Sequence, residues 1–182
     1  MIRLFIALKI PDPVIQEIIK LRNKAFPGYH NYKWEPENKI HLTLKFIGEI
    51  EEKFVEPVIS ELEFIRDYRK FNCSLTRFGF FFKNKDPKIL WVGLAMDVSV
   101  FNLVKELNTK LEKFGILMEK REFKAHLTLM RIKRFVDKNF IKSYEDYIIP
   151  EIQFTDNEII LFKSELMKGG SKYTELKKFI LK

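Results

Sequence analysis

The sequence predicts an α+β fold made of two pseudo-repeated lobes, and three observations predict it. Two short apolar runs, Leu4–Leu8 and Leu90–Leu94, lie 86 residues apart. The tetrapeptide His41-Leu42-Thr43-Leu44 recurs as His126-Leu127-Thr128-Leu129, offset by 85 residues. Between each run and its tetrapeptide lies one stretch with helical periodicity. The repeats extend over approximately residues 1–86 and 87–182, and no Ser/Gly-rich linker separates them, so residues 1–182 read as a single domain with a shared core.

The elements follow in order. Leu4–Leu8 is a buried strand by its run of β-formers. Asp12 is placed to cap a helix and Pro13 suits its first turn. Val14, Ile15, Ile18, Ile19 and Arg22 then form one face. His41–Leu44 is strand. Phe54, Val55, Val58, Ile59, Leu62 and Ile65 repeat at helical spacing, with Pro57 tolerated in the first turn. A strand follows near Asn72–Phe78. In the second half, Leu90–Leu94 is strand, and Asp97 or Ser99 caps a helix striped by Val100, Leu103, Val104, Leu107, Leu111 and Phe114. Gly115 stands where a C-terminal cap belongs. After the His126–Leu129 strand, Phe135, Val136, Phe140, Ile141 and Tyr144 suggest a further helix, and Ile152–Phe162 a strand. Gly169-Gly170 marks a turn, with Ser171–Leu181 returning as the last strand.

Composition narrows the class. Hydrophobic residues at 46% and charged residues at 32% exclude a disordered or low-complexity chain. The single cysteine, Cys73, excludes an internal disulfide and points to a reducing compartment. The N-terminal apolar run is too short for a secretory signal, and no stretch approaches the ~20 apolar residues of a membrane span. A soluble, cytoplasmic protein is the expectation. In the absence of heptads or an obvious exposed apolar face, it is also expected to be a monomer. The net charge of +8 divides equally between the halves, so there is no basic tail. This diffuse excess fits anionic partners, either phosphate-bearing small molecules or nucleic acid.

Strand alternation puts His41 and Thr43 on one face and Leu42 and Leu44 on the other, and likewise for His126 and Thr128. If the halves pack about a two-fold axis, two imidazoles and two hydroxyls converge. Opposed imidazoles suit in-line phosphoryl transfer, one taking a proton from the nucleophile and the other giving one to the leaving group. The threonine hydroxyls can hydrogen-bond non-bridging oxygens, and Arg131 adds a cation to the same phosphate. No metal or other cofactor is required, and neither motif offers a second zinc ligand at the usual spacing. A lone histidine on an apolar strand is more often a packing residue. Chance repetition of Leu-Thr-Leu after two of three histidines is only about one in a thousand, and packing explains the leucines but not the polar face.

These residues resemble the twin H-x-T-x motifs of the 2H phosphoesterase superfamily, in particular its RNA 2′,3′-cyclic phosphodiesterases, also called 2′-5′ RNA ligases. The likeness extends through Arg3–Leu8, Trp34, Leu44–Glu49, Phe123-Lys124-Ala125, Ile160–Leu166 and Tyr173. Ala125 departs from the proline that many relatives carry there. The resemblance implies a bilobal fold, with two pseudo-two-fold-related lobes of antiparallel β-sheet and outer helices around a central groove. It implies metal-independent hydrolysis of a terminal 2′,3′-cyclic phosphate on RNA to a 2′-phosphomonoester. His41 is then the acid to O3′ and His126 the base toward water, with Thr43, Thr128 and Arg131 binding phosphate. Joining a cyclic phosphate to a 5′-hydroxyl as a 2′-5′ bond calls on the same groups without ATP. Two other readings stay open. One is a module that grips RNA or nucleotide phosphate without turnover. The other is a sister enzyme acting on small cyclic nucleotides or 2′-5′ oligonucleotides.

Outside the motifs, His30 reads as a solvated loop residue. Trp34, Tyr173 and the stretch Phe78–Lys85 are open to either base stacking or core packing. Lys120, Arg121, Lys124, Lys133 and Arg134 crowd the second motif, where they suit either RNA steering or solubility.

Overall fold

A computed structural model describes residues 1–133 and 135–182. The strands are β1 (Ile2–Lys9), β2 (His41–Ile50), β3 (Phe71–Lys83), β4 (Asp86–Met96), β5 (His126–Arg131), β6 (Gln153–Asp156), β7 (Glu158–Met167) and β8 (Gly170–Ile180). The α-helices are α1 (Asp12–Ala25), α2 (Val55–Glu61), α3 (Val98–Leu111) and α4 (Lys138–Glu145). They serve two four-stranded antiparallel sheets, ordered β2-β1-β7-β8 and β5-β4-β3-β6. The bilobal α+β architecture expected from the sequence is therefore present.

The two sheets match position by position. In each, the strand carrying the His-x-Thr motif lies at the edge, beside the apolar strand of the same half. The helices follow the same symmetry, since α1 packs on α4 and α2 on α3. Each sheet nevertheless draws on both halves of the chain. β1 and β2 are completed by β7 and β8, and β3 joins β4, β5 and β6. The edge strands β2 and β5 lie against each other, which brings the motifs together.

Apolar periodicity explains the layers. Ile6, Leu8, Leu42, Leu90, Val92, Leu127 and Leu129 are fully enclosed, as are Ile18 of α1 and Leu103, Leu107 and Leu111 of α3. The β3–β4 hairpin turns through Asn84 and Lys85, both with positive φ, as a two-residue turn between right-twisted strands requires. Gly79 on β3 leaves room for the indole of Trp91, since a Cβ there would stand 2.4 Å from the ring.

Some boundaries differ from expectation. Asp12 lies inside the first turn of α1 and makes no side-chain cap; Pro11 holds the N-cap position. Its negative charge still complements the helix dipole. Asp97 does occupy the N-cap of α3, yet its carboxylate accepts from the Asn72 backbone N–H (2.8 Å) and side-chain amide (3.1 Å) on β3. The helical pattern of 54–65 is divided into α2 and flanking 3₁₀ turns. α4 begins only after Asp137, whose carboxylate accepts from the Phe140 N–H; Phe135 is solvent-exposed. The stretch 152–162 is two strands, not one. Among the described residues, no helix is long and apolar enough to cross a membrane.

Candidate active site

The motif strands present His41, Thr43, His126 and Thr128 half-buried on a common groove, while Leu42, Leu44, Leu127 and Leu129 are buried behind them. Alternation alone accounts for that much. It does not account for Arg131, which is an odd number of residues from His126 and belongs by parity with Leu127 and Leu129. A β-bulge supplies the difference. On the β4–β5 ladder Leu90 pairs with Met130 and Trp91 with Thr128, so Leu129 is an extra residue. Met130 then stays buried with Leu129, and Arg131 turns onto the groove face. The same device recurs 85 residues earlier. Ile6 pairs with Lys45 and Ala7 with Thr43, leaving Leu44 extra, burying Lys45 and turning Phe46 to the groove.

The histidines are fixed from behind. His126 Nδ1 is 2.6 Å from the Lys124 carbonyl oxygen. A carbonyl only accepts, so Nδ1 carries the hydrogen and Nε2 is the nitrogen left for proton exchange. His41 is hydrogen-bonded to the backbone of Lys39, again two residues upstream. Phe5 stacks on His41 with ring centroids 5.1 Å apart, and Tyr173 meets it edge-on at 5.6 Å. Phe81 meets His126 edge-on at 4.8 Å, with Trp91 at 6.5 Å. The cavity is about 1190 Å³, more than a single nucleotide-sized pocket needs. Its cations include Arg3, Lys39, Lys105, Arg121, Lys124 and Arg131. Lys45, only 4% exposed, ties β2 to α3 and the following loop by donating to Asn108 Oδ1 (2.6 Å) and the Leu117 carbonyl (2.7 Å).

The model of the LigT-like phosphoesterase family matches residues 8–91, which contain the first motif. The Archaeoglobus fulgidus RNA 2′,3′-cyclic phosphodiesterase is 33% identical over 97% of this chain and 99% of its own length. The chain belongs to this family. The LigT-like likeness continues in the RNA 2′,3′-cyclic phosphodiesterase of Thermotoga maritima, 27% identical over 96% of this chain and 92% of the relative. Escherichia coli LigT complexed with 3′-AMP superposes with a TM-score of 0.77 at 25% identity, covering 99% and 98% of the two chains. TT0787 of Thermus thermophilus shares the fold with a TM-score of 0.81 at 24% identity, covering 98% and 97%.

In this LigT-like groove, burial lowers the pKa of His41 to about 4; the hydrogen bond to Lys39 opposes the shift and the charge of Arg131 adds to it. His126 is lowered by the same causes in the same order, with Lys124 opposing. Both imidazoles are therefore neutral near pH 7 in the free protein. An anion entering beside Arg131 favours the protonated form and restores an acid to the pair. Burial also raises the Tyr173 phenol above its usual pKa.

All five residues singled out from the sequence line this one groove. Of the basic crowd around the second motif, Arg121 and Lys124 line it too, whereas Lys120 and Lys133 lie off it and Arg134 is outside the described residues. Tyr173 is a groove residue. Trp34 is a packing residue, its Nε1 donating to the Tyr29 carbonyl (2.9 Å) and its ring lying under Arg22. His30 is exposed against Tyr29. Phe78 is buried, while Phe80, Phe81 and Phe82 reach the groove. Lys39, Phe46 and Glu35 were not singled out. Lys39 stands 85 residues before Lys124, so the repeat itself carried a signal for it. Among the described residues, no three His, Cys, Asp or Glu side chains gather in a cluster able to hold a metal ion.

Proposed function

We propose that the protein opens 2′,3′-cyclic phosphate ends of RNA to 2′-phosphomonoesters without a metal. The observation that carries this reading is the pair of bulged His-x-Thr strands set edge against edge, with Arg131 turned into their shared groove. Water attacks phosphorus as His126 Nε2 takes its proton. The P–O3′ bond breaks as His41 delivers a proton to O3′. Thr43, Thr128 and Arg131 hold the non-bridging oxygens, whose charge is then matched by fixed donors. A 5′-hydroxyl in place of water gives a 2′-5′ bond from the same groups. The names of the curated relatives support the substrate class, and the groove's length and cations suit an oligonucleotide. The chain acts as one unit over residues 1–182, as a monomer in the cytoplasm; its one cysteine, Cys73, is buried and free.

The test uses RNA oligonucleotides ending in a 2′,3′-cyclic phosphate, incubated in EDTA with wild type, His41→Ala and His126→Ala. Wild type converts them to 2′-phosphates and each variant loses turnover. Retained binding with no product from wild type would replace this reading with a phosphate-gripping module. A stable dimer in sedimentation would refute the monomer.

A further inference from the structure

A carboxylate stands inside this phosphate groove. The Glu35 backbone N–H donates to the carbonyl of Leu129, the extra residue of the β5 bulge, at 2.8 Å. That bond sets the Glu35 side chain opposite the arginine the bulge exposes, with Oε1 3.3 Å from Arg131 Nε. The Glu35 side chain is only 20% exposed, and its charge reaches the site, since the Tyr173 phenol senses both Glu35 and Arg131. The Nε side of the guanidinium is thereby committed, and its two terminal NH₂ groups remain for phosphate.

A negative charge beside the main phosphate cation weakens every anion, but it weakens a doubly charged one most. We propose that Glu35 sets the charge selectivity of the groove, disfavouring a dianionic phosphomonoester relative to a monoanionic phosphodiester. The inference rests on the cyclic phosphodiesterase reading, in which those two species are product and substrate. Opening the ring adds negative charge, since a phosphomonoester carries about −1.5 to −2 at pH 7. Glu35 then repels the product more than the substrate and hastens its departure. One extra charge about 7 Å from the carboxylate in a half-solvated groove corresponds to about fivefold in relative affinity.

Two stable probes test this, adenosine 2′-phosphate as the monoester and a 2′-O-methylated adenine dinucleotide as the monoanionic diester. Their affinities are measured for wild type, Glu35→Gln and Glu35→Ala at low and high salt. The amide of Glu35→Gln keeps an acceptor for Arg131 Nε–H and removes only the charge. Its monoester-to-diester affinity ratio rises about fivefold, the gain shrinks at high salt, and inhibition of turnover by 2′-phosphate strengthens in parallel. An unchanged ratio in Glu35→Gln, or equal weakening of both probes in Glu35→Ala alone, overturns the proposal and leaves Glu35 as a brace. Because the probes bind without reacting, their ratio reports on Glu35 even if wild type fails to turn over cyclic ends, an outcome that would sink the parent reading instead.

Discussion

Replacing Arg131 by glutamine removes one cation from the groove and two things should change together. The guanidinium supplies charge-assisted hydrogen bonds to phosphate, each worth about 1.5–3 kcal/mol, so kcat/KM for a cyclic-ended RNA falls by about ten- to a hundredfold. Arg131 also lowers the pKa of both histidines, as the smaller contributor after burial. Catalysis needs one imidazole neutral and one protonated, so the kcat/KM profile is a bell bounded by the two pKa values of the pair. With His41 at about 4 and His126 below its usual value, the wild-type maximum lies on the acid side of pH 6.5. Without Arg131 both limbs move toward alkaline pH. Stability should hardly move, because the Arg131 side chain is 54% exposed and such an ion pair contributes about 0–1 kcal/mol. Initial rates under subsaturating conditions from pH 4 to 8, together with a melting curve, measure all three. An unshifted bell would refute the electrostatic coupling between Arg131 and the histidines, and undiminished kcat/KM would refute its contact with phosphate.

Other perturbations reach the scaffold. His41 titrates at about 4 folded and about 6.5 unfolded, so the unfolded chain binds the extra proton in that window and stability falls as pH drops through it, by up to about 3 kcal/mol. His41→Asn should flatten this component in denaturant titrations at successive pH values; an equally steep decline would show that His41 is not its source. Asp156 works in the opposite sense. Burial raises its pKa to about 6, so its charged form costs stability above that pH and the cost is relieved on acidification toward 4. Asp156→Asn retains an acceptor for the Glu158 N–H and should stabilise the protein by about 1–3 kcal/mol at pH 7, with no gain at pH 4. A destabilised variant at neutral pH would mean the carboxylate is better paired than its unpartnered Oδ2 indicates. Gly79→Ala drives a methyl into the Trp91 ring and should cost about 1–3 kcal/mol, with reduced turnover through the contacts of Trp91 with Phe81 and His126. A wild-type melting temperature would show that the indole moves aside freely.

Much of the site was legible because local rules govern it. Alternation placed His41 with Thr43 and His126 with Thr128, and the offset of 85 paired the strands. The position of Arg131 followed from no local rule. Bulges at Leu44 and Leu129 are properties of strand pairing with β1 and β4, so parity along one strand misassigns every residue beyond them. Glu35 lies in a connection without periodicity, and only the fold brings it to Leu129. Asp12 and Asp97 have the residue type of a cap, but Pro11 holds one position and Asn72 competes for the other carboxylate. The break between β6 and β7 falls at Asn157, where the chain passes from one sheet to the other, a change that apolar spacing does not encode.

The exchange of strands between the halves governs how the chain is made. β1 leaves the ribosome among the first residues, yet one of its two neighbours, β7, is some 150 residues behind it. β3 likewise waits for β4, which belongs to the second half. Neither half can close a sheet before the other is synthesised, so closure of the first sheet must wait for the last hairpin. Such non-local pairing slows folding and leaves an apolar strand edge open during synthesis. The catalytic face inherits this order. β2 and β5 acquire their final alignment only when the C-terminal strands dock, so a chain truncated before residue 158 is expected to lack a working groove even though every residue assigned to the chemistry is already present.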